Sequence, residues 1–267
     1  GELTSAINRV VEDINHRFTI DVLTRDFISN DLGISAKNLR KDRTRPTKAL
    51  DQIDKEAFTE GLRKALEILN KSEQTVVITD AHRTEIKEYL DLLDLTVDIP
   101  TEFLPVSNKT LTRTAVSQPG LRYAQAEALI RQLLLDEQFQ NISAVDRGWI
   151  AERILDEIRG RMMEDIVLLE TRMARPDKHV FRLQFTIGEF DMVVADLNAP
   201  ECEIYEIKHS TEATPAQYRF LDDPEKLKAT EFRYGPIRKR SVLYRGQSMT
   251  LENGIEYLNV EEYLRNM

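Results

Sequence analysis

The sequence predicts an α+β protein: a helical first part followed by a sheet flanked by helices. Three observations carry that reading. Apolar residues recur at helical spacing through most of the chain up to residue 174. A stretch of turn formers and polar residues, "PVSNKTLTRTAVSQPG", interrupts them over 105–120. Beyond Pro176 the apolar period drops to two. With 267 residues and 41% hydrophobic content, the chain can bury a sizeable core in one large or two ordinary domains. The pattern divides it into 1–104, a linker over 105–120, and 121–267.

Composition narrows the function classes. The longest apolar runs, such as "IVLL" and "FDMVVA", are far too short to cross a bilayer, and no charged-then-apolar leader opens the sequence. A soluble, cytoplasmic protein with no membrane partner is expected. The single cysteine, Cys202, rules out an internal disulfide framework, and the scattered His16, His82, His179 and His209 leave no zinc-type cluster. Any metal must therefore take oxygen ligands. A net charge of −9 argues against nonspecific nucleic-acid binding by the whole surface. Local exceptions remain, and the clearest is "SAKNLRKDRTRPTK", residues 35–48. There Arg40, Lys41 and Arg43 are candidate phosphate contacts, alongside Lys37, Arg45 and Lys48.

Along the chain, Ile7, Val10, Val11 and Ile14 make a helical stripe within 2–33, and Ile53, Phe58, Leu62, Ala65, Leu66 and Leu69 make another within 52–70. After "QTVVIT", Asp80 is placed to cap a helix over about 81–94, and "LTVDIPTEFL" reads as a returning strand. Helix, strand, helix, strand is the order of a winged helix-turn-helix. The last helix, however, carries Glu85, Glu88, Asp91 and Asp94 against Arg83 and Lys87, which suits packing or partner docking better than groove reading. Helices are expected over 121–136 and 146–174, the second ended by Pro176. Phe181, Leu183, Phe185 and Ile187 alternate with Arg182, Gln184 and Thr186, predicting a half-buried strand that turns at Gly188 into "EFDMVVAD". "CEIYEIK" is a third strand after the "NAPE" turn. "PAQYRFLDDPEKLKATEF" holds helical turns interrupted near Pro224, "KRSVLYR" is a further strand, and "GIEYLNVEEYLRNM" gives a strand and a closing helix.

The chemistry concentrates in "EIYEIKHS", residues 203–210. Strand alternation puts Glu206 and Lys208 on one face, about 7 Å apart, with Tyr205 and Ile207 on the other. In the preceding strand Asp191 points away from Phe190, Met192 and Val194, so if the two strands are neighbours Asp191 can join the pair. Two carboxylates and an ammonium on an apolar sheet need one another or a cation. Mg²⁺ or Mn²⁺ would relieve the carboxylate repulsion through oxygen ligation, polarise a phosphoryl oxygen and acidify a coordinated water. A lysine beside it can orient that water or stabilise developing charge.

Asp191, fourteen intervening residues and then Glu206-Ile207-Lys208, on consecutive strands after a long helix, resemble the D…ExK core of the PD-(D/E)xK nucleases, the restriction-endonuclease-like fold. The resemblance implies a mixed sheet flanked by helices and an auxiliary helical acid, for which "GRMMEDIVLLE" offers Glu164. It further implies Asp191, Glu206 and the Ile207 carbonyl as metal ligands and Lys208 as the water-positioning cation. His209 and Ser210 after the strand, and Gln217 and Tyr218 beyond them, are candidate phosphate contacts. A narrower resemblance covers about 79–210. "TDAHRTEIKEYLDLLDLTVDIPTEF", "GRMMEDIVLLE", "EFDMVVAD" and "IYEIKHS" look like the C-terminal region of a prokaryotic family of AAA-type ATPases, in which a winged-helix-like segment precedes a nuclease-like domain of mostly unassigned activity. That family's ATPase lies upstream. The sequence here contains no GxxxxGK[ST] phosphate loop, so the resemblance implies the C-terminal part of a longer protein or a homologue that lost its motor.

Three functions compete. The first is a metal-dependent nuclease acting on nucleic acid. The second is a nuclease-fold module that docks a partner, an ATPase or a second copy of itself, with Asp191 and Glu206 paired to Lys208. The third is a transcription regulator reading DNA with residues 81–94. A strand Glu two residues from a Lys is ordinarily a solvent-facing pair, but Asp inside an apolar strand is less ordinary, because strands disfavour it.

Overall fold

The computed structural model describes residues 80–104, 111–135, 143–196 and 198–267. The helices expected within 2–33 and 52–70, the segment "QTVVIT" and the basic loop with Arg40, Lys41 and Arg43 lie outside the described residues.

The chain forms two compact units, Gly1–Leu93 with Gly120–Ile158, and Asp94–Pro119 with Arg159–Met267. The described part of the first is helical. It holds α1 (Asp80–Leu92), most of α2 (Pro119–Leu133) and the opening half of α3 (Ala144–Ala174). Asp80, expected as a cap just outside α1, is its first residue.

The second unit is built on one mixed sheet. Its strands are β1 (Thr96–Leu104), β2 (Leu111–Val116), β3 (Lys178–Phe185), β4 (Glu189–Asp196), β5 (Cys202–Ile207), β6 (Ile237–Tyr244), β7 (Met249–Thr250) and β8 (Glu256–Asn259), in the spatial order β2-β1-β3-β4-β5-β6-β8-β7. β3, β4 and β5 form an antiparallel meander, while β6 lies parallel to β5 and β8 parallel to β6. A 3-10 turn at Pro215–Gln217 and helix α4 (Pro224–Tyr234) connect β5 to β6, and α5 (Val260–Arg265) closes the chain. The second half of α3 therefore opens a helix, strand, strand, strand, helix, strand succession, as the sequence pattern indicates.

Two expectations fail here. Residues 105–120 are not a plain linker, since Leu111–Val116 forms β2, paired antiparallel with β1. β1 in turn runs parallel to β3, so the strand assigned to the N-terminal part belongs to the large sheet. The threonine-rich composition of 105–120 hid a strand, because Thr is β-branched and pairs well in sheets whatever its polarity.

Both faces of the sheet are covered, which explains the near-continuous apolar runs of β4 and β5. On one face Met163, Val167 and Leu168 of α3 pack with Val180, Met192, Val194, Tyr205 and Ile207. On the other, Phe181, Leu183, Phe190, Val193, Ile204 and Val242 pack with Leu221 and with Leu227 and Ala229 of α4. β3 is accordingly not half-buried: Val180, Phe181, Arg182 and Leu183 are all buried, and Ile187, expected inward, is 74% exposed beyond the strand end. Gly188 makes the β3–β4 turn at φ 83°, a conformation open to glycine.

The β3–β4 pairing is irregular at one point, beside Asp191. Between the pairs Phe181↔Val193 and Leu183↔Phe190, β3 has one residue, Arg182, and β4 has two, Asp191 and Met192. This is a β-bulge, which kinks a strand locally and re-aims a side chain.

Candidate active site

The bulge places Asp191 where β4 and β5 end their pairing, one residue beyond Met192↔Tyr205. Its Oδ2 accepts the Ile207 backbone N–H at 2.7 Å and the Lys208 Nζ at 2.7 Å. The same Nζ lies 2.5 Å from Oε2 of Glu206. Asp191, Glu206 and Lys208, chosen from strand alternation, thus meet around one ammonium. Asp191 and Glu206 are each only 4% exposed.

Glu164 reaches the same neighbourhood from α3. The i, i+3 and i, i+4 spacing of Glu164 with Val167 and Leu168 sets it on the sheet-facing side of the helix, where those two residues anchor it. Its Oε2 pairs with the Arg182 guanidinium at 2.5 Å, and Arg182 itself is 8% exposed. A further buried pair continues the network, as Asp165 on α3 holds Arg113 from β2.

The charges are unevenly matched. Burial pushes the Asp191 carboxyl up, but the Lys208 ammonium, the Arg182 guanidinium and the Ile207 N–H outweigh it and hold the group below its ordinary range. Burial and the neighbouring Asp191 charge push Glu206 well above its ordinary value despite Lys208. Burial and Asp191 also raise Glu164, against Arg182 and Lys208. Lys208 goes up, because the two carboxylates overcome its own burial. The pattern is that of acids that cannot all ionise over too few cations. Oε1 of Glu206 marks the shortfall, buried with no hydrogen-bond partner.

An orphaned buried carboxylate oxygen is satisfied by a proton or by a cation. Oxygen donors from Asp191, Glu206 and the Ile207 carbonyl suit a hard divalent ion. Lys208 now spans both carboxylates, and among the described residues no group of three His, Cys, Asp or Glu side chains already stands in a metal-ligating arrangement. The donor chemistry fits Mg²⁺ or Mn²⁺, with the ammonium holding the acids together in the ion's absence.

The candidate phosphate contacts divide. His209 Nε2 lies 3.2 Å from Arg245 Nη1. Ser210 and Gln217 are bonded to each other at 2.7 Å and to the Glu212 carbonyl, and Gln217 Oε1 also accepts the Thr214 N–H and the Tyr257 hydroxyl. They shape the loop after β5. Tyr218 packs edge-on against Tyr257.

Sequence reasoning missed Arg182, Asp165, Arg113 and Arg161. The signal for Arg182 was present, since an arginine flanked by Phe181 and Leu183 in a strand covered on both sides must find an acid. Alternation alone made it look solvent-facing. Comparison with protein-family models, with curated proteins and with solved structures finds no match to this chain. No helix among the described residues is long and apolar enough to cross a membrane.

Proposed function

We propose that the sheet unit carries a divalent-metal-dependent phosphodiesterase site of the PD-(D/E)xK type. The observation that carries this reading is the meeting of Asp191, Glu206 and Lys208 at a bulged strand end, with one buried carboxylate oxygen left unpartnered. The succession from α3 through the β3–β5 meander and α4 to parallel β6 supports a restriction-endonuclease-like core. Asp191, Glu206 and the Ile207 carbonyl are the ligands for Mg²⁺ or Mn²⁺. When bound, the ion supplies Lewis-acid polarisation of a phosphoryl oxygen and a more acidic water.

The protein's own groups do the rest. Lys208, kept charged by its two acids, orients the attacking water and meets charge developing on the phosphate. Ile207 holds Asp191 in place through its N–H. Arg182 fixes Glu164 beside the pair as the auxiliary acid. The resemblance to the C-terminal region of AAA-type ATPases extends the proposal to a partner, an ATPase that acts on the same nucleic acid, with the first unit as the winged-helix-like segment.

Lys208 already bridging both carboxylates favours a second reading, a nuclease-fold module without catalysis that docks a protein partner or another copy of the chain. Cleavage assays with Mg²⁺ or Mn²⁺ on single- and double-stranded substrates separate the two. The first reading expects cleavage by the wild type and none by folded Asp191→Ala or Lys208→Ala, with folding followed by circular dichroism. Equal cleavage by wild type and either variant contradicts the assignment.

A further inference from the structure

Immediately beside the acid pair the chain gathers cations from three elements. His209 follows Lys208 at the end of β5, and Arg245 follows Tyr244 at the end of β6. The two ends stay in step past the strands, because the Lys208 N–H donates to the Leu243 carbonyl and the Arg245 N–H to the Ser210 carbonyl, both at 2.9 Å. The exposed Arg245 guanidinium sits against His209 Nε2 at 3.2 Å. α3 passes the same spot: a Cβ built on Gly160 would lie 3.9 Å from the Cβ of His209. The next residue, Arg161, lies close enough to Glu164 for its charge to lower that carboxyl, and its Nε is buried without a hydrogen-bond partner.

A guanidinium with a buried, unused N–H, a second exposed guanidinium and an imidazole at the mouth of an acid site form an anion-binding set. Fork-shaped arginine donors match phosphate oxygens in particular. On a chain of net charge −9 such a rim stands out from the surface average. We propose that Arg161, His209 and Arg245 clamp a backbone phosphate of a nucleic-acid strand lying across the ends of β5 and β6, next to the phosphate presented to Asp191 and Glu206. The inference rests on the phosphodiesterase reading for what the strand is doing there, but the clamp itself is a binding site and needs no cleavage to be seen.

Fluorescence anisotropy with a labelled DNA oligonucleotide, single-stranded and as duplex, in EDTA and over a range of salt, tests it with Arg161→Gln, Arg245→Gln and the double variant. Arg238→Gln removes the same charge from the opposite end of β6, roughly 20 Å away at strand rise. Each clamp variant is expected to weaken binding roughly tenfold, and the double variant to lower the salt slope by about two, near 0.9 per lost duplex phosphate contact. Arg238→Gln should bind as wild type does. Wild-type affinity in the double variant, an equal loss in Arg238→Gln, or no binding of either DNA form by the wild type overturns the clamp. Manganese titration of the same variants keeps the two ideas apart. Metal binding retained in the double variant beside lost DNA binding supports the clamp, whereas absent metal binding with clamp-dependent DNA binding leaves the clamp standing and removes the catalytic reading.

Discussion

At the scale of the residue, Lys208 decides the state of the site. Its ammonium is bonded to two deeply buried carboxylates, so removing it leaves buried negative charge without its partner. Lys208→Ala is expected to destabilise the metal-free protein by about 3 kcal/mol, read from the shift of the urea midpoint at unchanged slope. Added Mn²⁺ should restore part of that loss, since the ion can stand in for the lost positive charge. A second buried acid gives a pH test remote from the site. Glu102 on β1 accepts from His179 at 2.7 Å, Tyr234 at 2.7 Å and Arg233 at 3.2 Å. The His179 bond leads in lowering its carboxyl, against burial, so the folded value falls below the ordinary 4.5. A depressed folded value means stability that is present above 4.5 and lost as pH falls through the folded value. The difference in melting temperature between wild type and Glu102→Gln should therefore be largest near neutrality and shrink below pH 4.5. A constant difference across that range would assign Glu102 a packing role alone. Asp191, Glu206 and Lys208 were legible because charge inside an apolar strand demands a reason. Arg182 was not, because alternation cannot show a bulge or a second covered face.

At the scale of the element, the site depends on how firmly α3 and the bulged β4 are held. Val167 and Leu168, one helical turn beyond Glu164, are fully buried against the sheet. Leu168→Ala should lower stability by about 3 kcal/mol and loosen the Glu164–Arg182 pair with it, measured by denaturant unfolding. The α4–β6 junction is stricter. Gly235 ends α4 at φ 85° and ψ −178°, and a Cβ there would lie 1.7 Å from the Pro200 carbonyl oxygen. Gly235→Ala combines a backbone region nearly reserved for glycine with a clash against main chain. It is expected to cost on the order of 3 kcal/mol or to prevent folding, whereas Gly120→Ala, with nothing within 4 Å, should be tolerated. Strong period-2 runs made β3, β4, β5 and β6 readable with errors of a residue or two at their ends. β2 and β7 were missed for physical reasons. β2 is threonine-rich and sits at a sheet edge, where one side needs no apolar run, and β7 is two residues whose existence depends on pairing with β8.

At the scale of the whole molecule, the sheet unit begins at Asp94, before the stretch that composition marks as a linker, and it recruits β1 and β2 to the edge beside β3. This arrangement gives Arg113 of β2 its place against Asp165, two residues whose distance in sequence made the contact unreadable. The overall negative charge and the cations gathered at one end of β5 and β6 together predict nucleic-acid affinity that is local and steeply weakened by salt. The central claim is that the strand carboxylates form a divalent-ion site, and calorimetric titration of Mn²⁺ into wild type and Asp191→Ala at moderate salt tests it most directly. Binding by the wild type that disappears in folded Asp191→Ala is the predicted result. Absence of binding by the wild type, alone and with an oligonucleotide present, would contradict it and leave Asp191, Glu206 and Lys208 as a structural ion cluster.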